Sequence, residues 1–282
     1  MNVAPAMTQT EPRVVLSARG LGKDFAGFTA VNDVDLDVEH ARIHALIGPN
    51  GAGKTTVFNL LTKFLQPTRG QITLLGQDIT RERPDKVARM GLVRSFQISA
   101  VFPHLTVLDN VALGLELPRA PLLGRLLGRR KRDAREQAAQ MLHKVGLGHA
   151  LDKYPAQLSG GMQQRLAIAQ ALVMKPRVLL LDEPFGALDP GIRKDMHELL
   201  LELWRETRLT VFMVTHDLSE GFTLGSRILV FDKPRIDPHA PGAYGARVTY
   251  DIPLHEGRHA PGASAGLPTA LADSFRTAYQ GA

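Results

Sequence analysis

The chain is 282 residues long, with 44% hydrophobic residues, 22% charged residues, no cysteine and a formal charge of +6. That balance excludes a disordered chain, and the missing cysteine excludes disulfides and thiolate metal sites; the length allows one large α/β domain, or a smaller one with an added lobe. No apolar run reaches the roughly 18 residues of a membrane span, and the first residues lack the basic-then-apolar pattern of a signal peptide, so a cytoplasmic chain is expected, with any membrane role coming through a partner.

Residues 1–13 are polar, carry Pro5 and Pro12, and read as a loose lead. Val14 to Leu16 and Val34 to Val38 read as strands, the second through its alternating Val34, Leu36 and Val38. Ile43 to Ile47 is an apolar run that meets Gly48; a helix is expected over Lys54 to Phe64 and a strand over Gln71 to Leu75, after Pro67 and Gly70. From about residue 98 to 165 the pattern turns mainly helical, with Val107 to Leu115, a basic loop, and Arg135 to Val145 carrying Ala138, Met141, Leu142 and Val145 at helical spacing. Gln163 to Leu172 and Ile192 to Trp204 read as helices; Val178 to Leu181, Thr210 to Val214 and Ile228 to Phe231 read as short buried strands. Strands alternating with helices predict a mostly parallel sheet covered by helices. Beyond Lys233 the chain is broken by Pro234, Pro238, Pro241, Gly242 and Gly245; Val248 to Leu254 reads as one more strand, and residues 256–270 as a flexible linker within a C-terminal extension over 236–282.

Two motifs carry chemistry. Gly48-Pro49-Asn50-Gly51-Ala52-Gly53-Lys54-Thr55, followed by Thr56, fits a phosphate-binding loop. Its glycines let successive backbone N–H groups turn inward, and the helix that follows favours an anion at its start. Lys54 is placed to reach the β and γ phosphates, and the Thr55 hydroxyl to bind Mg²⁺. Val178-Leu179-Leu180-Leu181-Asp182-Glu183 supplies a buried strand ending in two carboxylates. Asp182 is expected to hold Mg²⁺ through water, and Glu183 to orient and polarise the attacking water. A nucleoside triphosphate and Mg²⁺ are therefore the expected ligands.

Leu158-Ser159-Gly160-Gly161-Met162-Gln163-Gln164 offers a second anion site, because Ser159 can cap a helix and the adjacent glycines expose backbone donors. This string resembles the signature of ATP-binding cassette (ABC) proteins, and the resemblance covers about residues 14–235. It implies that the nucleotide is ATP, and a P-loop NTPase core with an antiparallel β subdomain and an inserted helical subdomain. It also implies that Ser159, Gly160, Gly161 and Gln163 complete the γ-phosphate site of a second ATPase subunit, either a copy or a close homologue. By the same resemblance Gln97 senses Mg²⁺ and water, Ala187-Leu188-Asp189 crosses the dimer interface, His216 contacts the γ-phosphate, and Phe25, with Phe28 as rival, stacks on adenine.

The first half, with Phe58-Asn59-Leu60-Leu61-Thr62 and Val93-Arg94-Ser95-Phe96-Gln97, resembles importer cassettes for branched-chain amino acids and urea. Leu181-Asp182-Glu183-Pro184-Phe185-Gly186-Ala187-Leu188-Asp189-Pro190 resembles those for nitrate and taurine. Val214-Thr215-His216-Asp217-Leu218-Ser219-Glu220-Gly221-Phe222 resembles cassettes associated with urea carboxylase. Together they imply bacterial uptake of a small polar solute, with a membrane permease and a periplasmic solute-binding protein as partners and a peripheral position on the cytoplasmic face of the inner membrane. A non-transport ABC ATPase, and a cassette for export or lipid trafficking, stay open at this point. The basic run from Arg125 to Arg132 fits either anionic lipid headgroups or a solvated loop. No zinc-finger spacing or aromatic–basic interleaving accompanies the positive charge, so nucleic acid is not an expected partner.

Overall fold

The computed structural model describes residues 13–95, 101–116, 128–233 and 244–254. Gln97, the side chains of Arg125 to Lys131 and the 256–270 linker lie outside the described residues.

Strands β1 (Val14–Phe25) and β2 (Phe28–Glu39) form an antiparallel hairpin. β3 (Ile43–Ile47) leads through a loop into helix α1 (Lys54–Leu61). β4 (Arg69–Leu74) and β5 (Gln77–Asp78) follow, then α2 (Pro84–Arg89) and β6 (Leu92–Ser95). α3 (Val107–Glu116), α4 (Gly128–Lys144) and α5 (Gly160–Leu172) pack together. The chain then alternates β7 (Val178–Asp182), α6 (Pro190–Thr207), β8 (Thr210–Thr215), α7 (Leu218–Leu224), β9 (Arg227–Asp232) and β10 (Arg247–Pro253).

These strands make two sheets. A four-stranded antiparallel sheet runs β2-β1-β4-β5, and a six-stranded sheet runs β10-β9-β3-β8-β7-β6, parallel except for β10. Alternation along each strand sorts side chains to the two faces of the larger sheet. Ile43, Ala45, Ile47, Leu179, Leu181, Val211 and Met213 face a core shared with α3 to α7. Leu46, Val178, Leu180, Phe212, Val214, Leu229 and Phe231 face a second core, shared with α1 and the antiparallel sheet. The central strands β3, β7 and β8 are thus buried on both sides, which is why they read as largely apolar runs.

Several bounds differ from those the sequence suggests. β1 runs on to Phe25 and β2 begins at Phe28, because bulges between Ala18 and Lys23 carry the ladder past polar residues. α1 stops at Leu61 rather than Phe64: Thr62 caps it and Lys63 adopts a left-handed φ of 67°. The stretch expected as a basic loop is already helical from Gly128. No helix among the described residues is long and apolar enough to cross a membrane.

Candidate nucleotide site

Strand order assembles the site. β3, β8 and β7 are adjacent and parallel, with Ile47 beside Thr215 and Asp182 beside Val214. The residues that follow them, the 48–53 loop, His216 and Glu183, therefore emerge side by side at one edge of the sheet, about 5 Å apart strand to strand. This is the carboxyl edge, where open α/β sheets hold their ligands.

The loop is shaped by close backbone approach. A Cβ on Gly48 would lie 2.1 Å from the Phe231 carbonyl oxygen, so no side chain fits there. Gly53 caps α1 at φ 95°, which turns the chain from loop into helix. Lys54 is buried, and its ammonium donates to the carbonyls of Gly48 at 2.7 Å and Pro49 at 2.9 Å. Burial lowers its pKa, while the charges of Glu183 and Asp182 pull it the other way.

At the end of β7, Asp182 Oδ2 accepts from Arg94 at 2.5 Å, and both side chains are only 12% exposed. Arg94 also donates to Asn59 Oδ1 on α1 at 2.6 Å. The other Asp182 oxygen is buried without a hydrogen-bond partner. The Thr55 side chain is exposed in the first turn of α1. One hydroxyl and one orphaned carboxylate oxygen are hard donors, a set that suits a Mg²⁺ ion otherwise held by water and phosphate oxygens. Glu183 has a φ of 45°, a conformation unfavourable for a residue with a Cβ, and its N–H donates to Val214 O at 2.9 Å. Its carboxylate lies 3.5 Å from His216 Nδ1. Asp217 caps α7 and accepts from Arg193, fixing the chain just after His216.

The 158–164 segment is placed differently. Ser159 caps α5, accepting from Met162 N at 3.4 Å. Gly161 is held against α6, since a Cβ there would come within 2.6 Å of Ile192 Cγ2. Gly160 faces open space, and Ser159 and Gly160 are exposed. The Gln163 amide donates to the carbonyls of Pro155 and Leu158. Asp189 stands at the N-cap position of α6 without a side-chain capping hydrogen bond, with Ala187 exposed just before it. Phe25 and Phe28 sit opposite one another at the hairpin end, 41% and 39% exposed, so exposure does not separate them. Lys23 lies over the first ring and Lys233 over the second.

The structure thus gathers Lys54, Asp182, Glu183 and His216 at one edge, and leaves the exposed start of α5 without any of them as a bonding partner among the described residues. Sequence reasoning gave Arg94 no role. Its only signal was a basic residue in a short strand, and its partners Asn59 and Asp182 lie 35 and 88 residues away in sequence.

A phosphate loop, a paired carboxylate and a nearby histidine on a P-loop sheet define a nucleotide-binding protein of the P-loop NTPase class. The ABC transporter family model matches residues 31–186, and the chain belongs to that family. It is 42% identical over 217 residues to the sulfate/thiosulfate import ATP-binding protein CysA of Gloeobacter violaceus, covering 77% of this chain and 60% of that protein. It is 39% identical over 241 residues to the spermidine/putrescine import ATP-binding protein PotA of Thermobifida fusca, covering 83% and 60%. The chain therefore spans about 60% of the length of these curated relatives. Among solved structures, the ADP conformation of an ATP-binding cassette of an ABC transporter superposes with a TM-score of 0.68 at 29% identity, over 77% of this chain and 87% of the other. A dimeric post-hydrolysis cassette bound to ADP and Pi superposes with a TM-score of 0.69 at 27% identity, over 86% and 99%.

Proposed function

We propose that this chain is the Mg²⁺-dependent ATPase subunit of an importer for a small polar solute. The observation that carries the reading is the split between two half-sites. Lys54, Asp182, Glu183 and His216 share one edge of the sheet, while Ser159 and Gly160 stand exposed elsewhere with an unused helix start. Residues 14–235 form the ATPase unit, with a helical lobe over about 98–165 and an extension over 236–282.

In this reading the 48–53 loop and α1 cradle the phosphates of ATP. Lys54 exchanges its two carbonyl acceptors for phosphate oxygens. Thr55, Gln97 and Asp182 hold Mg²⁺, which when bound neutralises charge between the β and γ phosphates. Glu183 orients the attacking water and takes its proton; His216, beside it, contacts the γ-phosphate. Ser159, Gly160, Gly161 and Gln163 belong to the site of a second subunit, so that ATP closes a dimer and hydrolysis opens it. Phe25, or Phe28, stacks on the adenine.

Work then requires a membrane permease, and a solute-binding protein for uptake, with the chain peripheral to the cytoplasmic face of the inner membrane. The names of the relatives, sulfate/thiosulfate and spermidine/putrescine importers, support import of a small charged or polar solute. They give no support to branched-chain amino acids, urea, nitrate or taurine in particular.

The purified chain should release phosphate from MgATP with no added acceptor, and Lys54→Ala should abolish this. Phosphate transfer only in the presence of an acceptor, or no loss in Lys54→Ala, would overturn the reading.

A further inference from the structure

At the opposite edge of the central sheet lies a cavity of about 540 Å³. It is bounded by the chain before β3, β7 and β8, whereas the phosphate loop, the carboxylates and His216 follow those strands. Strands of five or six residues put the two edges about 17–20 Å apart. One wall is α4, through Gln137, Gln140, Met141 and Lys144, a single helical face. The floor is apolar and nearly closed to solvent: Leu172, Val173, Leu203 and Leu209 are each 7% exposed or less.

The charge in the lining has one sign. Lys144, Lys175, Arg177 and Arg208 line the cavity, and no Asp or Glu does. Glu206 pairs with Lys144 at 3.4 Å, but both are about half exposed, which leaves that pair weak. Helices α4, α5 and α6 all end here, and basic residues at helix ends complement the dipole. That role alone does not explain Lys175 and Arg208. Both hold φ at 52°, just past the ends of α5 and α6, where glycine is the residue of least strain. Neither side chain has a hydrogen-bond or ion-pair partner among the described residues. Two long cations thus occupy strained positions, and both line one apolar cavity.

We propose that this cavity binds an amphipathic organic anion: an apolar body that fills the floor, carrying a carboxylate or phosphate that Lys175 and Arg208 hold at the rim. The volume suits a molecule of roughly drug size, and apolar lining with a few convergent polar groups is the usual make-up of small-molecule sites. Because α4 forms one wall and α6 and β8 another, the bound anion would tie these elements together, far from the nucleotide edge.

The test measures binding of decanoate and of decyl phosphate by calorimetry, with decanol as the uncharged control. Saturable binding near one per chain is expected for at least one anion, and roughly tenfold weaker binding for decanol. The arm that binds more tightly assigns the headgroup. The double variant Lys175→Gly plus Arg208→Gly suits the left-handed backbone and should fold at least as well as the parent, checked by thermal unfolding and by ATP binding. It should bind the anions at least tenfold more weakly. No saturable binding of either anion, or equal affinity in the double variant, would overturn the proposal.

Discussion

Lys63 offers a quantitative test of how the α1 terminus is built. Its residue is 3% exposed, its amine is buried without a hydrogen-bond partner, and the backbone is held at φ 67°. Burial pushes its pKa down from 10.5 to about 8, opposed only by the charge of exposed Asp78. Between those two values the unfolded chain binds more protons than the folded one, so stability rises with pH across that window. Below pH 8 the folded state carries the full cost of an under-solvated ammonium, about 3 kcal/mol. Lys63→Met keeps the length and the backbone strain but removes the charge. It should be more stable than the parent by about 3 kcal/mol at pH 7, with the gain fading as pH passes from 8 to 10.5. The assay is denaturant unfolding of both proteins at a series of pH values. A gain independent of pH, or a loss at pH 7, would show that the buried ammonium of Lys63 does not carry this cost. Lys63→Gly should add about 1 kcal/mol more by relieving the left-handed backbone.

Arg94→Met should cost about 2 to 3 kcal/mol, because it strands the Asp182 carboxylate in a poorly hydrated place; adding Asp182→Asn should recover much of that, as a double-mutant cycle by denaturant unfolding would read. Gly161→Val should destabilise by about 1 to 3 kcal/mol through its clash with Ile192, and Ile192→Ala should relieve it in the same assay. Gly48→Ala should abolish nucleotide binding, measured with a fluorescent ATP analogue, since its methyl would displace the Phe231 carbonyl and with it the loop.

The parts of the fold that were legible in the sequence are those where local pattern and burial agree. Ile43–Ile47 and Val178–Asp182 are covered on both faces, so apolar runs, interrupted by His44 in the first and closed by Asp182 in the second, marked them almost to the residue. β1 was hard to read because its polar Ser17, Arg19, Lys23 and Asp24 are paid for by partners distant in sequence: Thr73, Asp37, Gln66 and Arg69. The phosphate loop and carboxylate pair were legible because each is contiguous. What the sequence withheld was convergence. That Lys54 and Glu183 share one edge follows from β3 lying beside β8 and β8 beside β7, an order no local pattern encodes. The Arg94–Asp182–Asn59 link joins three elements and left no local trace.

In the proposed function each chain holds half of two sites. The direct measurement is the molar mass of Glu183→Gln by light scattering, with and without saturating MgATP. The variant should be a monomer without nucleotide and a stable dimer with it, because the ligands for ATP remain while water activation is lost. Adding Ser159→Arg should return the mass to that of a monomer while ATP still binds. A Glu183→Gln chain that stays monomeric with ATP bound, or a dimer untouched by Ser159→Arg, would contradict the proposed function.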